Sequence, residues 1–170
     1  IMTDRFVNGN ESNDESPTGA ASGADWQGGD LAGVTQMIES GYFDDLGVNA
    51  LWLTPFNTAA EGTGKAADGV HDVSAFHGYW PTEARGVEPR LGTEDELHAM
   101  VDAAHERGIR VMMDFVVNHV HEDHEYVQSH PEWFKSGCIC GQADCDWTEH
   151  RLDCQFTAYM PDVTWTNRYA

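Results

Sequence analysis

The hexapeptide Asp114-Phe115-Val116-Val117-Asn118-His119 gathers a carboxylate, a carboxamide and an imidazole, three groups able to touch a polar substrate or a metal. It follows Gly108-Ile109-Arg110-Val111-Met112-Met113, an apolar run opened by glycine that reads as a fully buried parallel strand. The polar residues therefore sit at that strand's C-terminal end. In α/β barrels catalytic groups collect there, because the βα loops can reach a ligand and the packed interior cannot. A plainer reading has Asp114 capping the next segment and Asn118 and His119 in an ordinary loop.

Two further stretches carry chemistry. His71-Asp72-Val73 and Phe76-His77-Gly78-Tyr79-Trp80-Pro81 lie in a long connection from Phe56 to Gly92, and long βα loops are usually functional. Aromatic rings beside a histidine suit stacking on the apolar faces of a sugar, although a hydrophobic lid would use the same residues. The stretch Val7-Asn8-Gly9-Asn10-Glu11-Ser12-Asn13-Asp14-Glu15-Ser16-Pro17-Thr18-Gly19 is almost free of apolar side chains. Its closely spaced small oxygen donors are what calcium requires, but the spacing is not an EF-hand and the same residues are common turn formers. The loop runs on to Trp26-Gln27-Gly28-Gly29-Asp30, whose paired glycines imply a tight backbone approach.

The elements that must position these groups are legible as two similar units. Leu31, Val34, Ile38, Tyr42 and Phe43 recur at helical spacing up to Leu46, and Gly47 ends the helix. Val48-Asn49-Ala50-Leu51-Trp52-Leu53-Thr54-Pro55 is then a buried strand closed by proline. Thr93-Glu94-Asp95-Glu96 opens a second helix with Leu97, Met100, Val101 and Ala104 on one face, and Gly108 leads into the strand before Asp114. Two helix-glycine-strand units in one register predict parallel strands with right-handed crossovers, hence an α/β sheet or barrel.

Composition narrows the partners. At 170 residues the chain can hold one domain with a core, yet it is shorter than the ~250 residues of a closed (β/α)8 barrel. Its 29 acidic against 9 basic residues give a formal charge of −20. Nucleic acid and anionic membrane surfaces are therefore poor partners, and a neutral sugar or a cation is favoured. A solvated acidic surface accounts for most of these carboxylates. No run of about 18 apolar residues could span a membrane, and the first residues lack the basic and apolar parts of a signal peptide. Opening on Ile1, in what reads as the tail of a strand, the chain is expected to be a fragment.

Taken together, Thr3-Asp4-Arg5-Phe6, Gly28-Gly29-Asp30, Leu46 to Pro55, His77-Gly78-Tyr79-Trp80 and Asp114 to His119 resemble the α-amylase family, glycoside hydrolase family 13, in order and spacing. The resemblance covers nearly the whole chain. It implies an α/β fold: a partial TIM (β/α)8 barrel with strands one to three and an irregular B domain inserted after strand three. Residues 1–119 would belong to the barrel and 120–170 to the insert.

What the family implies is carried residue by residue. Asp114 and His119 would bind the sugar where the bond is cleaved, His119 donating to ring hydroxyls, with Tyr79 stacked on that sugar and His77 in the same block. Asn118 and Asp162 would hold one calcium. The early loop is similar to the second calcium site of cyclodextrin-forming and maltogenic relatives, with Asn8, Asn10, Asn13, Asp14, the carbonyl of Gly28 and Asp30 in matching positions. Cys138, Cys140, Cys145 and Cys154, spaced C-x-C-x4-C-x8-C, suggest two disulfides in any of three pairings. A zinc site with His150 nearby is the rival. His121, His124 and His130 are expected at the surface.

The implied activity is retaining hydrolysis of α-1,4-glucosidic bonds in starch-like α-glucans by a secreted, calcium-binding enzyme. A cyclodextrin-forming transglycosylase, or a noncatalytic carbohydrate-binding or interaction protein of the same fold, are the alternatives. The family's nucleophile lies in a Gly-x-Arg-x-Asp block after strand four and its acid in a Glu block after strand five, both expected beyond Ala170. The 170-residue chain alone is thus expected to be inactive.

Overall fold

A computed structural model describes residues 1–66 and 68–166; residues 167–170 of the expected insert lie outside the described residues. After three single 3-10 turns in the early loop, the first α-helix is α1, Leu31–Glu39. Asp30 caps it by accepting the Gly33 N–H at 2.6 Å, which satisfies a donor that the first helical turn leaves unpaired. Gly41, at φ +84°, breaks the helix, and a short α2, Tyr42–Asp45, follows. The single helix expected up to Leu46 is therefore two. The reason is local, because only glycine adopts that φ without a Cβ penalty.

Strand β1, Ala50–Leu53, pairs in parallel with β4, Arg110–Met113, in the register Ala50 to Arg110 through Leu53 to Met113. The amino group of Ile1 donates to the Trp52 carbonyl at 2.5 Å, and Thr54 N–H donates to the Ile1 carbonyl at 2.9 Å. Those two bonds lay Ile1 alongside β1 on the side away from β4, although Ile1 itself is not part of a strand. Helix α3, Glu94–Glu106, connects across to β4 and starts with a complete capping box between Thr93 and Glu96. Leu51 and Leu53 turn toward the helices and join Leu31, Val34, Ile38, Phe43, Met100, Ala104 and Ile109 in the main core. Trp52 and Met112, paired across the strands, point the other way and stay 60% and 49% exposed.

The connection between β1 and α3 is not a bare loop. It contains an antiparallel hairpin, β2 (Thr63–Lys65) with β3 (Asp72–Ser74). A second core forms over it from Ala59, Ala60, Ala75, Trp80 and Met160. Buried Arg90 ties the region together: it pairs with buried Glu88 at 2.8 Å, with Glu15 at 2.8 Å and with Glu61, and lies over the Trp26 ring. A guanidinium with several donors in a fixed fork can satisfy three carboxylates at once, where an ammonium would be a point charge.

After β4 the chain is mostly irregular, with short helices α4 (Glu125–Ser129) and α5 (Trp147–His150). Cys138 bonds Cys145 and Cys140 bonds Cys154. These pairings select one of the three connectivities and remove the zinc alternative, since no thiolate is left to bind metal.

Candidate active site

Asp114 leaves β4 at its C-terminal edge, its N–H donating to the Leu53 carbonyl at 2.8 Å. Its Oδ2 accepts from the Tyr79 hydroxyl at 2.6 Å. What brings Tyr79 there is Gly78: it has φ +82°, and a Cβ on it would stand 2.1 Å from the Pro55 carbonyl oxygen. The His-Gly-Tyr turn thus packs backbone to backbone against the end of β1, which no other residue permits. The bond to Asp114 pushes the Tyr79 hydroxyl up to about 12, so the phenol stays protonated and donating.

His77 accepts the Tyr79 N–H at Nδ1, 3.0 Å away, and its ring stacks on Tyr79 with centroids 5.7 Å apart. An accepting Nδ1 places the imidazole proton on Nε2. Burial, then the charges of Arg5 and His119, push His77 down to about 4. It is neutral at ordinary pH. His119 lies on the other side of the same turn, Nε2 bonded to the Tyr79 carbonyl at 3.0 Å and its ring near-parallel to Phe156 at 5.8 Å. The four sugar-binding candidates therefore form one cluster centred on Tyr79. One detail departs from expectation: the Nε2 proton of His119 is spent on that carbonyl, and its Nδ1 faces Asn118 Nδ2 at 3.4 Å.

His77, Tyr79 and His119 open onto a cleft of about 870 Å³ that is also lined by Lys65, Trp80, Gln142, Trp147, Phe156 and Tyr159. Sequence reasoning assigned nothing to Lys65, Gln142, Trp147, Phe156 or Tyr159. For Lys65 and Tyr159 the local signal is Gly64: a Cβ there would meet the Trp80 ring at 2.8 Å and the Tyr159 ring at 3.3 Å, so the hairpin can lie directly on Trp80. Beneath the cluster, Asp4 takes the N–H groups of Gln27 and Gly28 at 2.8 and 3.2 Å, while Arg5 lies 3.7 Å over the Phe76 ring.

Asn8, Asp14 and Gly28 converge in the early loop. Asn8 donates to Asp14 at 2.8 Å, and a Cβ on Gly28 would lie 2.5 Å from both the Asn8 amide and the Asp14 carboxylate. Both polar atoms of the Asn13 side chain are buried without a hydrogen-bond partner. A carboxamide and a carboxylate facing a space only glycine leaves open, with an unpartnered carboxamide at the preceding residue of the loop, fit a hard cation. Asn10 is turned to Ser12 and Glu96, and Asp30 gives its oxygens to Gly9, Asn10 and Gly33 N–H groups. Those two frame the loop.

At the other expected calcium position, His119 and Asp162 form a bridge and Val163 N–H donates to the Asn118 carbonyl at 2.8 Å. The backbone thus brings Asn118 next to the Asp162–Val163 segment. Asp162 accepts from Phe156 N–H at 3.1 Å and lies 3.4 Å from the Lys135 ammonium, so its oxygens already have partners. Among the described residues no three His, Cys, Asp or Glu side chains converge as a metal centre.

His121 and His124 are buried, not at the surface. Each accepts through Nδ1 the N–H two residues on, Asp123 and Tyr126, at 3.2 Å. Burial lowers the pKa of both, and neutral rings serve as turn caps in place of carboxamides. His130 is half-buried, stacked on Trp133 at 3.9 Å.

Comparison with known proteins places this geometry. The family model described as the alpha-amylase catalytic domain matches residues 1–166. A periplasmic alpha-amylase of Escherichia coli (strain K12) is 40% identical over 124 residues, 70% of this chain and 18% of that protein. A cyclomaltodextrin glucanotransferase of Geobacillus stearothermophilus is 33% identical over 141 residues, 81% of this chain and 19% of that protein. The solved Anoxybacillus alpha-amylase superposes with a TM-score of 0.78 at 30% identity, over 99% of this chain and 34% of that one. The Geobacillus thermoleovorans alpha-amylase complexed with acarbose gives 0.73 at 29% identity, over 99% and 33%. The chain spans about a fifth of the length of these curated relatives. Its parallel strands and helices are accordingly part of a TIM barrel, and the chain belongs to the alpha-amylase family of glycoside hydrolases.

Proposed function

We propose that the full-length protein carrying this chain is a retaining hydrolase of α-1,4-linked glucans, and that His77, Tyr79, Asp114 and His119 hold the glucosyl unit at the bond to be cleaved. The observation that carries this is the 2.6 Å Tyr79–Asp114 bond at the C-terminal edge of β4, made by a Tyr79 that lines the aromatic cleft on one side and shares a second depression with Asp114 on the other. A phenol ring gives the sugar a flat apolar face, while Asp114 keeps an oxygen free to accept from a hydroxyl. His77 offers an Nε2 proton, and His119 can turn its Nε2 from the Tyr79 carbonyl to a ring hydroxyl when sugar arrives. Acarbose and maltotriose complexes of similar proteins support the substrate class. The nucleophile and the acid, about 5 Å apart in a retaining enzyme, are assigned to later family blocks and to none of the carboxylates described above.

Residues 120–166, with their two disulfides, are read as most of the inserted B domain, and the disulfides fit a secreted enzyme. Calcium is assigned to Asn8, Asn13, Asp14 and the Gly28 carbonyl, framed by Asn10 and Asp30. It would supply a fixed positive charge that locks the loop. At Asn118 and Asp162 a cation would have to displace the Lys135 ammonium.

Incubating the full-length protein with maltoheptaose and following the new reducing ends by NMR tests this reading. Release of the α-anomer first is expected. Release of the β-anomer, or binding without cleavage, would overturn it, the latter in favour of a noncatalytic binding protein. Cyclic products would favour the transglycosylase reading, which the similarity to cyclomaltodextrin glucanotransferases raises.

A further inference from the structure

We propose that Trp147 is a second sugar-stacking platform, one that holds a glucosyl unit beyond the unit at Tyr79 and Asp114 and so favours long linear glucans over short ones. This rests on the α-glucan reading above.

Trp147 lines the same cleft as His77, Tyr79 and His119, yet it is 54% exposed, whereas Trp80 beside them is a core residue at 6%. An exposed indole is usually mobile; this one is braced from several directions. Asp146 caps α5 by accepting from Thr148 N–H at 2.7 Å and Glu149 N–H at 3.3 Å. Gly141, at φ +82°, lies against the indole: a Cβ there would stand 2.8 Å from Trp147 Nε1. Gly141 is itself fixed, its N–H donating to the Cys145 carbonyl at 2.8 Å between the Cys138–Cys145 and Cys140–Cys154 bonds. Cys140 N–H donates to the Gln155 carbonyl and Gln155 N–H to the Cys138 carbonyl, both at 2.9 Å, an isolated parallel bridge between Ile139 and Gln155.

A large aromatic held still and left open to a cleft is preorganised for a ligand, because little side-chain entropy remains to be lost on binding. Gln142 and Lys65, lining the same cleft, supply hydrogen-bonding groups for hydroxyls around the stacked ring. The disulfide knot thereby acts as the positioning device for the platform.

The test is steady-state kinetics of the full-length protein on maltotriose and maltoheptaose. Trp147→Ala and Trp147→Leu, the second of which keeps the bulk against Gly141 without a ring, should raise KM for maltoheptaose about tenfold relative to maltotriose, with kcat held. Trp147→Phe should recover most of the loss. Cys140→Ser with Cys154→Ser should reproduce the KM shift. Equal KM changes on both substrates, or wild-type behaviour of Trp147→Leu, would overturn the platform while leaving the α-glucan reading intact. A wild-type protein that neither binds nor cleaves either oligosaccharide would overturn both.

Discussion

Tyr79 and Asp114 hold each other at 2.6 Å, and the histidine behind them sets how the site responds to acid. His77 is pushed from 6.5 down to about 4. Above pH 6.5 the ring is neutral in folded and unfolded chains alike and contributes no pH dependence. As pH falls from 6.5 toward 4 the unfolded chain takes up a proton that the folded one refuses, so stability declines, by about 3 kcal/mol once pH is below both values. Thermal unfolding between pH 7 and 4 should therefore show a smaller acid loss in His77→Asn, which keeps an acceptor for the Tyr79 N–H but does not titrate; an unchanged slope would contradict the burial argument. Asp114 and His119 stood out beside a strand end and His77 and Tyr79 in a long connection, and their roles as sugar binders came from the family resemblance; that the four meet at Tyr79 is what the structure adds. That His119 spends its Nε2 on the Tyr79 carbonyl was not legible, because the bond joins residues 40 apart in sequence.

At the scale of the element, helix starts were the most legible feature and breaks the least. The capping box at Thr93 and Glu96 is written in four consecutive residues, and it forms completely. Thr93→Ala should lower stability by about 1 kcal/mol in denaturant melts. Gly33 in α1 shows what local propensity cannot. Alanine is the better helix former, yet a Cβ at Gly33 would stand 1.9 Å from the Val7 carbonyl oxygen. Gly33→Ala is expected to cost about 2 kcal/mol or more through this overlap, and a stabilised variant would show that the loop and α1 can part freely. The hairpin of β2 and β3 escaped the sequence because its short strands are partly exposed and held from outside: Trp80 packs on Gly64, and Tyr159 donates to the Lys65 carbonyl at 3.0 Å. Tertiary contact, not periodicity, makes those strands.

Across the whole molecule, parallel strands and core helices followed from two repeated apolar units, whereas the arrangement of loops did not, since it depends on long-range pairs such as Arg90 with Glu15. Trp52 and Met112 share the strand face turned away from the helices, the face a barrel fills with its own side chains. On the calcium proposal, the early loop would couple local chemistry to global stability. Chelating calcium from the full-length protein should lower Tm by at least a few degrees, and Gly28→Ala, which fills the cradle, should abolish that sensitivity. A melting curve indifferent to chelator would remove calcium from the loop. The sugar site is tested most directly by titrating maltoheptaose into the full-length protein and its Asp114→Ala variant in a calorimeter. Binding by the first and a loss of at least about tenfold in the second are predicted. Equal affinities would mean that the glucosyl unit is held somewhere other than the Tyr79–Asp114 pair.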